Sequence, residues 1–141
     1  MIGLKMKNMT KRELSKYYHL SMEIKDIEEQ INEISNSLIG SPIITGMPHG
    51  SGISNPVEQK ASLLLNLKNK LEKRRATALQ ELMKIETYIA NIEDTEVRLI
   101  FTKRYIQFKQ WDDIAREMCM SESSVFRRHK YQFRRDKNES I

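Results

Sequence analysis

Glu122, Ser123 and Arg127 carry side chains able to read base edges. A carboxylate accepts from the cytosine amine, a hydroxyl serves either base, and a guanidinium bonds guanine O6 and N7 in bidentate fashion. On a helix predicted over 122–135 they share one outer stripe with Phe126, Lys130 and Arg134. Lys130 and Arg134 stand farther along, where a cation orients the protein on phosphates without reading sequence. Across 121–135, five basic residues face one acidic residue, although the whole chain of 141 residues carries only +5. Val125 and Phe133 can face inward, toward a core.

Such a helix must be held across a groove by its neighbours. Trp111, Ile114, Ala115 and Met118 recur at i, i+3, i+4 and i+7, which predicts a short amphipathic helix over 111–118. Only Cys119 and Met120 separate it from Ser121, whose hydroxyl can cap the next helix. Two helices across so short a turn form a helix-turn-helix, the arrangement that presents its second helix to the major groove. Lys109 and Gln110, at the start of the first helix, are candidate phosphate contacts through side chains and free N–H groups. Upstream, Asp94 can cap a helix over 96–106 with Glu96 in its first turn and Val97, Ile100, Phe101 and Tyr105 on its apolar face. The expected core of this three-helix module is Val97, Phe101, Trp111, Ile114, Met118, Val125 and Phe133.

The preceding residues read as a long helical arm. Thr10 and Glu13 have capping-box spacing, with Leu14 next. Tyr17, Leu20, Ile24, Ile27, Ile31, Ile34 and Leu38 then alternate steps of three and four, a heptad seam. Residues 39–56 hold all three prolines and four of the five glycines, so helix cannot propagate there. A second helix begins at the Asn55 cap with Pro56 in its first turn, and its apolar face runs from Val57 through Ala61, Leu64, Leu67, Leu71, Ala78, Leu82, Ile85 and Ile89 to Ile92. Lys73, Arg74 and Arg75 interrupt that seam and are expected on a solvated face. The expected fold class is therefore all-α, a helical hairpin or coiled-coil arm over 1–93 and a helix-turn-helix module over 94–141. Two narrow apolar stripes leave room for a second copy, and a homo-oligomer, a dimer first, is expected.

Other chemistry lacks its residues. One cysteine precludes an internal disulfide, and Cys119 in the turn is expected to be a small buried hydrophobe. His19, His49 and His129 have no metal-ligand spacing with one another or with Cys119. Asp112 and Asp113 are adjacent and point to different sides of a helix, unsuited to paired-carboxylate catalysis. Gly46, Gly50 and Gly52 lack the following Gly-Lys-Ser/Thr of a phosphate loop. A non-enzyme without metal, cofactor or small-molecule substrate is expected. No apolar run approaches the roughly 18 residues of a membrane span, and the opening residues lack a signal-peptide core, so a cytoplasmic protein is expected.

The run RLIFTKRYIQFKQWDDIAREMCMSESSVFRRHKYQF resembles the C-terminal promoter-reading region, region 4, of sigma-70-type factors. It is closer still to small phage and prophage late-transcription regulators that join such a module to an N-terminal coiled-coil arm. The likeness rests on Arg104-Tyr105, on Trp111 with Ile114-Ala115, on Ser121 with Ser124-Val125, and on Arg127 and His129. Arg128 and Gln132 depart from the pattern, which has apolar or small residues there. The resemblance implies double-stranded promoter DNA as partner, activation of late genes, and contact with bacterial RNA polymerase. Two other readings are compatible with the same elements: a DNA-packaging subunit of the small-terminase kind, and a helical adaptor that binds RNA polymerase without touching DNA.

Overall fold

The structure, a computed structural model, describes residues 8–40 and 55–139. The fold is all-α, with a long N-terminal helical arm: α1 (Lys11–Gly40), α2 (Pro56–Ala90), α3 (Thr95–Phe101), α4 (Trp111–Met118) and α5 (Glu122–Glu139). A π-helical turn, Thr102–Ile106, continues α3, and Gln107 N–H closes it on the Thr102 carbonyl at 3.0 Å. The connection read over 39–56, with its glycines and apolar residues, lies outside the described residues except at its ends.

Helix starts follow local chemistry. Glu13 N–H donates to Thr10 Oγ1 at 3.1 Å and Thr10 N–H to the Glu13 carboxylate at 3.4 Å, the reciprocal bonds of a capping box. Val57 N–H donates to Asn55 Oδ1 at 3.0 Å. Asp94 Oδ1 accepts from the N–H groups of Glu96 (2.8 Å) and Val97 (3.4 Å), and Ser121 Oγ accepts from Ser124 N–H at 3.1 Å. Each side chain satisfies backbone donors that the first helical turn leaves open.

The chain divides into two compact units, Ser21–Thr77 and the combination of Met1–Leu20 with Ala78–Ile141. In the first, Ile27, Leu67 and Leu71 are buried, with Ile24, Ile31 and Ile34 packed against them. Arg74 Nε bonds Glu23 at 2.7 Å, Arg75 bonds Glu28 at 3.1 Å and Lys60 Nζ bonds Ser37 Oγ at 2.5 Å. Glu23 and Glu28 meet the later Arg74 and Arg75 of α2 while Ser37, farther along α1, meets the earlier Lys60, so the two helices run antiparallel here. The central part of the α1 seam is thus covered within the chain, with Leu38 half-buried. The Lys73–Arg75 run, expected on a solvated face, is exposed at Lys73 and Arg75 and half-buried at Arg74, and its two arginines pair with α1 carboxylates there. Val57 is 54% exposed, contrary to its place on the expected apolar face: it lies in the first turn of α2, and burial begins only at Lys60 and Leu64.

In the second unit, Met9, Leu14, Ile85, Tyr88, Ile89, Ile92, Val97, Phe101 and Tyr105 form one buried cluster, with Tyr17 and Phe133 against it. A domain boundary is expected between 93 and 94. The helix does break there, but apolar burial continues through the break, since Ile85, Tyr88, Ile89 and Ile92 cover Val97 and Phe101. Arg98 ties the break down, donating to the carbonyls of Ile92 (2.6 Å) and Glu93 (2.9 Å). Truncating the fully buried Ile85 to Ala should lower the unfolding free energy by about 3 kcal/mol in urea denaturation. Val57→Ala, at an exposed site, should change it by no more than about 0.5 kcal/mol.

Candidate nucleic-acid interface

The turn between α4 and α5 is closed by Cys119, whose backbone is left-handed (φ 56°, ψ 42°), while Met120 N–H reaches back to the Ala115 carbonyl at 3.0 Å. Cys119 is exposed rather than buried as expected. It occupies the left-handed position that ends α4, and Met118 and Met120 on either side supply the apolar contacts. These pack on Ile100, Ile114, Ala115 and Val125, with Trp111 against the same cluster.

The seven expected core residues are thus shared between two apolar clusters. Ile114 and Val125 are buried in the helix-turn-helix cluster beside half-buried Trp111 and Met118, whereas Val97, Phe101 and the half-buried Phe133 belong to the cluster that includes Leu14 and Ile85. Where the two meet stands His129, 2% exposed. Its ring lies within 4.7 to 6.0 Å, between centroids, of Phe101, Tyr105, Trp111, Phe126 and Phe133. Its Nε2 is 2.5 Å from the Tyr105 hydroxyl, and Nδ1 has no hydrogen-bond partner. Sequence reasoning took His129 only as a match to a pattern and missed its place in the core. The available signal was its spacing of four from both Val125 and Phe133.

The two departures from the pattern now have positions. Arg128 is exposed and pairs with Glu96 at the start of α3. Gln132 is half-buried and donates to Asp136 Oδ1 at 3.1 Å. Asp136 is itself buried and accepts from the Tyr88 hydroxyl at 2.5 Å, so α5 is anchored at its far end to α2. Burial and the adjoining carboxylate both push the Tyr88 hydroxyl well above the usual tyrosine range, which keeps it a donor.

Ion pairs decide which cations remain available. Arg135 bonds Glu93 at 3.1 Å, Arg116 bonds Asp113 at 3.5 Å, and Glu117 receives both Lys109 (2.5 Å) and Lys103 (3.4 Å). The Lys109 hydrogen bond, the largest cause, holds the Glu117 carboxyl below its usual range. Lys109 is therefore partly neutralised. Gln110 is exposed and makes no side-chain cap, yet Asp112 and Asp113 stand in the first turn of α4, so this end is less attractive to phosphate than expected. Arg104 donates to the Lys109 carbonyl at 3.0 Å and lies over the Trp111 ring at 4.6 Å, which fixes the entry to α4.

On α5, Arg127, Lys130, Arg134 and Lys137 are exposed and have no carboxylate partner among the described residues. Spaced i, i+3, i+7 and i+10, they form one stripe. Glu122 and Ser123 are exposed at its N-terminal end. Phe126, which sequence reasoning placed on the outer stripe without a role, is 38% exposed, with Lys130 Nζ 5.7 Å above its ring and Trp111 at its edge. Among the described residues there is no group of His, Cys, Asp and Glu able to hold a metal ion, and no helix is long and apolar enough to cross a membrane.

Residues 38–136, more than half of the chain, match the family described as Protein of unknown function (DUF1492). The chain belongs to this family. No curated protein and no solved structure matches it. The matched span takes in α2 together with the helix-turn-helix module and ends at Asp136, the residue that Tyr88 holds. It therefore crosses the break at 93 to 94, as the apolar cluster does.

His129 makes this site sensitive to acid. Burial, then the nearby charges of Lys11 and Arg104, lower its pKa from 6.5 to about 4. As pH falls below 6.5 the unfolded chain takes up the proton first, so stability is full above that value and is lost progressively toward pH 4. The loss should be on the order of 3 kcal/mol in total. Urea denaturation of wild type between pH 7.5 and 5 should show the early part of this decline, and His129→Gln, though less stable throughout, should lack it.

Proposed function

We propose that this chain is a sequence-specific regulator of transcription that binds double-stranded DNA in the bacterial cytoplasm, at phage or prophage late genes, with α5 in the major groove. The observation that carries the reading is the single stripe of unneutralised cations on α5, Arg127, Lys130, Arg134 and Lys137, beside polar Glu122 and Ser123. In this reading Arg127 reads guanine, Glu122 and Ser123 meet adjoining bases, and Lys130, Arg134 and Lys137 hold phosphates. The resemblance of residues 98–133 to sigma-70 region 4 supports a promoter as target. RNA polymerase is the protein partner that resemblance implies.

Selection of bound sequences from a random duplex pool tests the reading directly, and recovery of no preferred sequence would reject it. On the selected site Arg127→Ala should cost about 1 to 3 kcal/mol and relax preference at one base pair, whereas Lys130→Ala should weaken every sequence alike. Equal losses for Arg127→Ala on selected and scrambled duplexes would remove its base-reading role.

Phe126 is the apolar member of the reading face, and a thymine methyl group is the apolar feature of the major groove. Replacing thymines of the selected site one at a time by deoxyuridine deletes only that methyl. Wild type should lose affinity at one such position and Phe126→Ala should show no further loss there; additive losses would contradict the contact.

A further inference from the structure

The antiparallel pair in Ser21–Thr77 is short of core. Among its described residues the buried hydrophobic ones are Ile27, Leu67 and Leu71. Ile24, Ile31, Ile34, Leu38 and Leu64 are only half-buried, and Leu63 is 48% exposed. Two helices meet along one line, so each leaves the flanks of its apolar stripe open. Amphipathic helices draw their stability from covering such a stripe. The partly covered residues belong to a wider core, of the kind that four helices close and two do not.

Charge beside that stripe is sorted by helix. Over 21–40, α1 carries five carboxylates and one lysine, a net −4; over 56–77, α2 carries six cations and two carboxylates, a net +4. Two pairs within the chain use part of this difference, Arg74 with Glu23 and Arg75 with Glu28. Asp26, Glu29 and Glu33 of α1, and Lys68, Lys70 and Lys73 of α2, are exposed and have no partner among the described residues. A nucleic acid or an acidic protein drawn to these lysines would be repelled by the carboxylates of the neighbouring helix. A basic partner would meet the converse. A second copy brings one helix of each sign and satisfies both at once.

We propose that two copies of the chain pair through this unit, with α1 of each lying against α2 of the other in a four-helix bundle. Charge selects the arrangement. A two-fold axis parallel to the helices sets α1 on the other copy's α2 and alternates sign around the bundle, whereas an axis across them sets like on like. The attraction comes from Ile24, Ile31, Ile34, Leu38, Leu63 and Leu64 of both copies leaving water. The exposed ion pairs add little to it and fix partner and orientation. This pairing does not depend on the DNA-binding reading.

Sedimentation equilibrium of the full chain tests the pairing. Wild type at micromolar concentration should show twice the 16.6 kDa of one chain, and a single-chain mass or an assembly larger than two copies overturns the proposal. Two charge-reversed chains test the arrangement: Asp26→Lys, Glu33→Lys in α1, and Lys70→Glu, Lys73→Glu in α2. Both keep the Glu23–Arg74 and Glu28–Arg75 pairs. Alone, each variant sets like charges between copies, and its self-association should weaken by about tenfold or more. Mixed in equal amounts, the two variants regain opposite signs at every α1–α2 contact between copies, and the mixed dimer should form about as strongly as wild type. A fall in helix content of one variant does not blur the result, because pairing in the mixture restores both helix and mass. Undiminished dimers of both variants alone, or a mixture that stays apart, overturn the arrangement of α1 on α2.

Discussion

A neutral imidazole buried where two apolar clusters meet is the constraint on which the module depends. His129 touches Phe101 and Phe133 of one cluster and Trp111 beside the other, and its Nε2 lies 2.5 Å from the Tyr105 hydroxyl. Burial favours the uncharged form of both partners: it lowers the pKa of His129 to about 4 and pushes the Tyr105 hydroxyl well above its usual range. A polar pair in an apolar site is directional, and each partner left alone would lose its hydrogen bond without access to water. The contact therefore fixes the rotation of α5 about its axis. That rotation decides which side chains face outward.

Rotation alone would leave a broad basic helix. Carboxylates from other elements narrow it: Glu96 takes Arg128 and Glu93 takes Arg135, both from the segment that opens α3. Exposed pairs of this kind contribute little to stability. Their effect here is on the surface field, since they remove charge from one flank and leave Arg127, Lys130, Arg134 and Lys137 in line. The same logic applies at α4, where Glu117 draws in Lys103 and Lys109.

Helix α1 is consequently more than a support for the rest. Met9 just before it and Leu14 in its first turns join the apolar cluster of α3 and α5, as do Ile85, Tyr88 and Ile89 at the end of α2 and Ile92 just beyond it. Residues far apart in the chain thus complete one core, which explains why a break in the helix at Glu93 and Asp94 is not a break in the packing.

All five helices, their caps and the short turn were legible in the sequence, because periodicity and capping act over three to four residues. Thr10 with Glu13, Asn55, Asp94 and Ser121 perform as their types and spacing require. The candidate reading residues Glu122, Ser123 and Arg127 were legible as an exposed stripe for the same reason. Tertiary structure alone decided the partition of the core, the exposure of Cys119 and the partial neutralisation of Lys109. Those outcomes depend on side chains brought together from distant positions: the pairs that strip charge from α5 are separated by 32 and 42 residues, and the one that anchors its end by 48. No local pattern encodes which carboxylate a surface arginine will meet, so the sequence by itself determined where the cations are, and the fold determined which of them remain free to meet a partner.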